Sequence, residues 1–93
     1  MKVYKEKKLS ERIYERIFDS ADSDNFEWHR DAENRKVVVL EAGSGWKFQL
    51  DDQLPVDLFE GVILTIPKNN FHRIIAGDGK LKIRLIKDFD IIN

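Results

Sequence analysis

The stretch that decides the fold runs from Gly61 to His72 and reads GVILTIPKNNFH. After the glycine, a run of apolar and β-branched residues predicts a buried strand. Pro67 ends that strand, because proline cannot donate to a β-ladder. Asn69 and Asn70 then predict a tight turn, since asparagine tolerates the left-handed backbone that such turns need. His72 opens the next strand, so a rigid turn between two strands preorganises it as a metal or substrate ligand.

This stretch resembles the second motif of the cupin superfamily, which has a glycine, five residues, a proline, one residue, a glycine, two residues and a histidine. Gly61, Pro67 and His72 fall at that spacing. Asn69 stands where the second glycine of the family usually does, and Ala76 stands where the family often has an asparagine. The resemblance implies a cupin barrel with His72 among its site residues.

The first cupin motif is also recognisable, with two substitutions. The family has a His-x-His pair, three or four residues, a glutamate, six residues and a glycine. With the four-residue spacing, this sequence has His29, Asp31, Lys36 and Gly43 at those positions. A carboxylate therefore replaces the second histidine and a cation replaces the glutamate. The two motifs together cover about residues 26–87.

Short strands with period-two alternation and frequent turns fill the region around the motifs, which favours an antiparallel sandwich or small barrel. The resemblance narrows this to an all-β fold, a small double-stranded β-helix (jelly-roll) barrel. We expect Gly43–Gly45 to be the loop of a hairpin between the strands on either side. The predicted strands are 37–40, 46–50, 56–58, 62–66, 71–75 and 81–86.

One α-helix is predicted before the barrel, over about residues 10–20. Ser10 is a suitable N-cap, and apolar side chains from Ile13 to Phe18 recur at helical spacing. The preceding residues, Met1 to Lys8, fit either a short edge strand or a frayed arm. We expect one domain over residues 1–93, as the length of 93 residues suggests.

Composition excludes several functional classes. Sixteen basic and 17 acidic residues give a net charge of −1, which argues against a nucleic-acid partner. No apolar run approaches the roughly 20 residues of a membrane span, and no signal peptide is recognisable, so we expect a cytoplasmic protein that does not bind membranes. There is no cysteine, and the only histidines are His29 and His72. Any metal site must therefore use histidine and carboxylates.

The resemblance implies a metal site formed by His29, Asp31 and His72. Two histidines and one carboxylate suit Fe(II), with Mn, Ni or Zn as competitors. Two alternatives stay open from the residues alone. His29 also fits a hydrogen-bonded histidine at a strand end, and Asp31 fits the first position of a type I turn.

Three residues near the predicted site are candidates for binding a substrate. Arg35 and Lys36 bring positive charge that favours a small anionic molecule. Gln49 alternates with the aromatic residues of its strand and is a candidate for binding substrate or for an empty coordination position. Solvent-facing positions are the alternative for all three.

Three functions follow from these observations. The first is a metal-binding cupin that binds a small molecule, with dioxygenase or sugar-isomerase chemistry implied by the resemblance. The second is a non-catalytic binding or sensing module without metal, which Lys36 at the glutamate position favours. The third is a 2-oxoglutarate and Fe(II) oxygenase, in which Arg84 would anchor 2-oxoglutarate. A small-molecule ligand is expected in each.

A homodimer is also expected, because the apolar tail Phe89–Ile92 and the amphipathic helix offer surface to bury. The segment from Trp28 to Asp31 resembles short cupin-like proteins of bacteriophages, which implies no activity.

Overall fold

The computed structural model describes residues 3–88 and contains eight strands in two antiparallel sheets. The larger sheet has the order β1-β2-β8-β3-β6, and the smaller has the order β5-β4-β7. The strands are β1 (Tyr4–Lys8), β2 (Ile13–Asp19), β3 (Arg35–Ala42), β4 (Lys47–Leu50), β5 (Val56–Asp57), β6 (Ile63–Ile66), β7 (His72–Ile75) and β8 (Lys80–Lys87). The fold is all-β, as the sequence predicts.

The predicted helix over about residues 10–20 is wrong. This segment is mostly strand β2, which pairs with β1 on one side and with β8 on the other. A central position in the sheet satisfies the backbone groups on both sides of the strand and overrides the local helical pattern. The nearest helical element is a short 3-10 helix, Ser20–Asn25, which Asp19 caps by accepting from the N–H of Ala21 at 3.0 Å.

The first residues of the described chain form the edge strand β1, which decides between the two alternatives for this segment. The predicted tail Phe89–Ile92 lies outside the described residues. Within residues 3–88, no helix is long and apolar enough to cross a membrane.

The core lies between the two sheets and consists of alternate side chains from both. Because successive side chains of a strand point to opposite faces, the buried residues of β3 and of β8 are spaced two apart. Aromatic contacts extend the core from β2 to β4. The ring centroids of Phe18 and Phe26 are 5.8 Å apart, and those of Phe26 and Trp46 are 6.0 Å apart. The buried apolar residues are Phe18, Val37, Val39, Trp46, Phe48, Leu58, Ile66, Leu81, Ile83 and Leu85.

Residues Gly43–Gly45 do not form the predicted hairpin loop. Strand β3 pairs with β6 and β8, whereas β4 pairs with β5 and β7, so this turn crosses from the larger sheet to the smaller one. The turn Gly77–Gly79 crosses back between β7 and β8. The two turns pack backbone against backbone: a Cβ on Gly77 would lie 2.2 Å from the carbonyl oxygen of Ser44. We call this pair of turns the glycine end of the barrel.

Strand β3 contains a β-bulge at Leu40. The register shifts between Val39, which faces Ile83, and Glu41, which faces Lys82. Before the bulge the odd-numbered residues of β3 point into the core, and after it Ala42 does. The extra residue therefore changes which side chains of the first motif face inward.

Candidate metal centre

His29 and His72 lie directly opposite each other at the end of the barrel away from the glycine end. They form an isolated antiparallel bridge, in which the N–H of His29 donates to the carbonyl of His72 at 3.0 Å and the reverse bond is 2.8 Å. The ring centroids are 4.3 Å apart. His72 is buried and His29 is exposed. The bridge extends the smaller sheet by one residue and fixes the distance between the two imidazoles.

Both imidazoles are oriented by the same device. Nδ1 of His29 bonds to the carbonyl of Glu27 at 3.0 Å, and Nδ1 of His72 bonds to the carbonyl of Asn70 at 2.8 Å. A carbonyl oxygen only accepts, so Nδ1 of each ring carries a proton and donates it. In the neutral rings, Nε2 then holds the lone pair. This is the arrangement that metal-binding histidines usually have.

Asp31 completes the group, and its position depends on the turn after Pro67. The N–H of Asn69 donates to the carbonyl of Asp31 at 2.7 Å, and the N–H of Lys68 donates to Oδ1 of Asn34 at 2.8 Å. Asn69 has φ of 64°, the left-handed conformation that the sequence predicts for this turn. Asparagine thus takes over the conformational role of the glycine in the family motif.

One carboxylate oxygen of Asp31 meets the histidine pair. Its Oδ2 lies 3.2 Å from Nε2 of His72 and is buried with no hydrogen-bond partner among the described residues. With a neutral His72, two acceptor atoms face each other across that distance. A positive charge between them, either a metal ion or a second proton on His72, removes the repulsion.

The ligand atoms of His29, Asp31 and His72 all lie within 4.8 Å of one another. Two ligands of one ion at about 2.1 Å are at most about 4.2 Å apart, so small side-chain rotations bring all three onto one ion. The structure therefore brings together the three residues that the sequence singles out. The orphaned oxygen and the orientation of both rings fit a metal.

A guanidinium is the fourth group. Nη1 of Arg35 lies 3.4 Å from Oδ2 of Asp31, while its Nε and Nη2 donate to Oε1 of Glu33 at 2.9 and 2.7 Å. Burial of Asp31 raises the pKa of its carboxyl. The contact with His72 and the positive charge of Arg35, to which each histidine adds only when it is protonated, outweigh burial, so the pKa of Asp31 lies below its ordinary value. We call His29, Asp31, Arg35 and His72 the histidine end.

Arg35, not Lys36, takes the inward position of the motif glutamate. With three residues after Asp31 instead of four, the motif reaches Arg35, and the bulge at Leu40 absorbs the extra residue before Gly43. The side chain of Arg35 lines the central cavity. Lys36 is not among the lining residues and alternates to the other face of β3.

Gln49 is on the outer face of the smaller sheet. Its Oε1 accepts from Nε and Nη2 of Arg73 at 3.0 and 2.8 Å, and Arg73 lies over the ring of Trp28, 4.7 Å from its centroid. Arg84 is exposed on the outer face of β8, between the buried Ile83 and Leu85. Neither side chain lines the cavity, so the structure offers no support for Arg84 as an anchor of 2-oxoglutarate.

The cavity has a volume of about 120 Å³ and runs inward from the histidine end. Drug-sized ligands need clefts of roughly 300–1,000 Å³, so this one suits a small molecule. Its walls are mostly apolar side chains of the two sheets, among them Phe26, Phe48, Leu64 and Ile66.

Sequence reasoning missed Arg16, which also lines the cavity. Its Nε donates to Oε2 of Glu6 at 2.6 Å, and its guanidinium lies 4.1 Å from the centroid of the Tyr4 ring. These contacts follow from the pairing of β1 with β2. The signal was the alternation of Tyr14, Arg16 and Phe18, which is informative only once the segment is taken as a strand.

No family model matches the sequence, and no curated protein sequence matches it. Solved structures are similar. A cupin domain from Bordetella pertussis is 20% identical with a TM-score of 0.63, and the match covers 97% of this chain and 99% of that one. A cupin superfamily protein from Desulfitobacterium hafniense is 24% identical with a TM-score of 0.66, covering 94% of this chain and 76% of that one.

A third similar structure is that of the Fe(II) form of HppE, which is 16% identical with a TM-score of 0.66. The match covers 81% of this chain and 41% of HppE. At these identities the likeness concerns the path of the backbone, and it agrees with the two motifs in the sequence. The chain therefore has the fold of the cupin-domain proteins.

Proposed function

We propose that this protein binds one divalent transition metal through His29, Asp31 and His72 and holds a small molecule in the adjoining cavity. The observation that carries the proposal is the buried Oδ2 of Asp31, which faces Nε2 of His72 at 3.2 Å without a hydrogen-bond partner in the described chain. A metal ion satisfies both atoms at once. Two histidines and one carboxylate suit Fe(II), and Mn, Ni and Zn compete for such a set.

Two further observations support the metal. Both Nδ1 atoms donate to backbone carbonyls, which leaves both Nε2 atoms to bind an ion. Among the similar structures, HppE was solved with Fe(II). A bound metal would supply Lewis-acid or redox chemistry, while the apolar walls of this chain exclude water from the ligand. Dioxygenase or sugar-isomerase chemistry is the enzymatic form of the proposal.

Zinc binding tests the proposal directly. We expect the chelator-treated protein to bind one Zn²⁺ per chain by isothermal titration calorimetry. Loss of a ligand should weaken binding by at least ~100-fold, since loss of a supporting residue alone costs about 10–100-fold. His29→Ala is the sharpest variant, because His29 is exposed and its removal leaves the core intact.

Glu11→Gln is the matched control, because it removes one exposed acidic group in the turn between β1 and β2. This variant should bind Zn²⁺ as the wild type does. Circular dichroism should show that His29→Ala keeps its strands. Weak and equal binding by the wild type, His29→Ala and Glu11→Gln would overturn the proposal.

A metal-free binding module is the second candidate function, and the position of Arg35 favours it. A guanidinium stands where the family has its fourth ligand and already gives Asp31 a positive neighbour at 3.4 Å. On this alternative His72 carries the second proton. Small carboxylates should then raise the melting temperature equally with and without a chelator. A rise that a chelator abolishes would instead support the metal site.

A further inference from the structure

The guanidinium of Arg35 is hydrogen-bonded to Glu33 on one edge, while its Nη1 is in ion-pair contact with Asp31 at 3.4 Å. Oε1 of Glu33 accepts from both Nε and Nη2 of Arg35. Nη1 lies near Asp31 without a hydrogen bond to its Oδ2, which has no such partner within residues 3–88. Because the five N–H donors of arginine lie in one rigid plane, fixing one edge aims the other. Glu33 therefore holds the Nη1 edge toward the histidine end of the cavity.

The charges around Asp31 make the metal and Arg35 competitors. The side chain of Arg35 is 13% exposed, as is that of Asp31, so solvent screens their interaction only in part. A divalent ion on Asp31 would lie next to a fixed guanidinium, and the two positive charges repel. An anion that contacts Arg35 would reduce this repulsion. Metal and anion should therefore each strengthen the binding of the other by the same factor.

The cavity limits what the anion can be. Its volume of about 120 Å³ admits a small molecule, and most of the side chains beyond Arg35 are apolar. A ligand that uses both features has one charged oxygen-bearing end and a short apolar body. Arginine pairs with planar carboxylates through two parallel N–H donors, which favours a carboxylate as the charged end.

We propose that Arg35 is the specificity-determining residue of the site: it weakens the binding of metal alone and binds a small monocarboxylate that restores it. This inference rests on the proposed metal site and adds the ligand class and the coupling. On this proposal, a cation is tolerated at the position of the motif glutamate because a bound carboxylate pairs with the charge of Arg35.

Calorimetric titration of Zn²⁺, with and without sodium butyrate at constant ionic strength, tests the coupling. We expect butyrate to tighten Zn²⁺ binding by wild type about tenfold, within the usual range of coupling between two sites. Acetate has the same charged end and a shorter apolar body, so it should tighten binding less. In Arg35→Gln, Zn²⁺ alone should bind about tenfold tighter than in wild type, and butyrate should change that by less than twofold.

Two further variants separate this role from a structural one. Arg30→Gln is the matched control, because Arg30 lies between His29 and Asp31 in sequence but over the ring of Phe71, 5.2 Å from its centroid. It removes the same charge nearby and should keep the wild-type response to butyrate. Arg35→Lys keeps the charge and loses the planar fork, so Zn²⁺ alone should bind as in wild type while the butyrate effect shrinks.

The outcomes that contradict the two proposals differ. If wild type binds no Zn²⁺ with or without butyrate, the metal site is wrong and the coupling with it. If wild type binds Zn²⁺ and both Arg35→Gln and Arg35→Lys respond to butyrate as wild type does, the role of Arg35 alone is wrong. If acetate and butyrate tightened Zn²⁺ binding equally, the inference that the ligand has a short apolar body would be wrong.

Discussion

The two ends of this barrel differ in the groups that form them, which are glycine backbones at one end and ionisable side chains at the other. At the glycine end, two turns between the sheets meet through their backbones, and a Cβ on Gly43 would lie 1.8 Å from the carbonyl oxygen of Asp78. At the histidine end, three ionisable side chains surround the carboxylate of a fourth, Asp31, and all four line a cavity. Strands β3 and β7 both run from the histidine end to the glycine end.

This contrast separates stability from binding. The glycine end contributes close backbone packing between its two turns. The histidine end leaves the buried Oδ2 of Asp31 without a hydrogen bond from residues 3–88, which costs stability. We therefore expect substitutions at the glycine end to change the free energy of unfolding, and substitutions at the histidine end to change affinity for metal.

Gly77→Ala should show the largest effect. Its Cβ would lie 2.2 Å from the carbonyl oxygen of Ser44 and 2.4 Å from the backbone nitrogen of Trp46, so the turns must separate. We expect a loss of about 3 kcal/mol or more in the free energy of unfolding, measured by urea denaturation. The folded fraction should still bind Zn²⁺ with wild-type affinity.

Gly61→Ala is the control for that variant. It has φ of 91° but no atom within 4 Å of an added Cβ, so only backbone strain of about 1–2 kcal/mol applies. If Gly77→Ala were no less stable than Gly61→Ala, close packing of the two turns would not be what stabilises the glycine end.

A change of pH should act on the histidine end with an intermediate effect. Zn²⁺ binding to histidine nitrogens competes with protons for those nitrogens, so Zn²⁺ affinity falls as the pH falls. From pH 7.5 to pH 6.0 we expect Zn²⁺ affinity to fall about tenfold, or about 1.4 kcal/mol.

Asp31 should not contribute to that change. The pKa of Asp31 lies below its ordinary value, so the carboxylate stays ionised over this range. Its contribution to Zn²⁺ affinity is lost only as the pH falls through that lowered pKa. Calorimetry at several pH values in buffers of matched ionic strength measures the change. An affinity independent of pH between 7.5 and 6.0 would mean that histidine nitrogens are not the ligands.

Asn69→Ala should have the smallest effect, and it should change both the free energy of unfolding and the affinity for Zn²⁺. Asn69 has φ of 64°, which alanine adopts at a cost of about 1 kcal/mol, and its N–H donates to the carbonyl of Asp31. We expect a loss of about 1 kcal/mol in urea denaturation and a modest weakening of Zn²⁺ binding. Asn69→Gly should be neutral or stabilising.

Asn70→Ala is the control, since the backbone of Asn70 is not in the left-handed region. A larger loss for Asn70→Ala than for Asn69→Ala would show that the turn is stabilised by something other than the conformation of Asn69.

Much of the fold was predictable because its signals are local. The run before Pro67, the turn at Asn69 and the strand that begins at His72 each follow from the residues present, and the structure confirms them. The sequence predicts a helix over about residues 10–20 because its apolar residues recur at helical spacing. Pairing with the edge strand β1 and with β8, which lies far away in the sequence, makes most of this segment a strand.

The grouping of the candidate site residues was predictable in part for the same reason. His29, Asp31 and His72 were placed by motif spacing, which the geometry of strand and turn fixes. The alignment of Arg35, instead of Lys36, with the motif glutamate depends on the bulge at Leu40, and no residue in that stretch marks a bulge. Arg16 points into the cavity because its segment is a strand, whereas the sequence predicts a helix there, and Glu33 becomes important only because Arg35 points inward.

The two tryptophans lie at opposite ends of the barrel, so their fluorescence can be used to follow each end separately. Trp28 precedes His29 and is 41% exposed under Arg73, whereas Trp46 is 1% exposed and donates from Nε1 to the carbonyl of Asp78 at 3.1 Å. Buried and exposed indoles emit fluorescence at different wavelengths. A variant with Trp28 alone would report events at the histidine end, and one with Trp46 alone would report the opening of the glycine end. One chain thus carries its own pair of labels, one for occupancy and one for integrity.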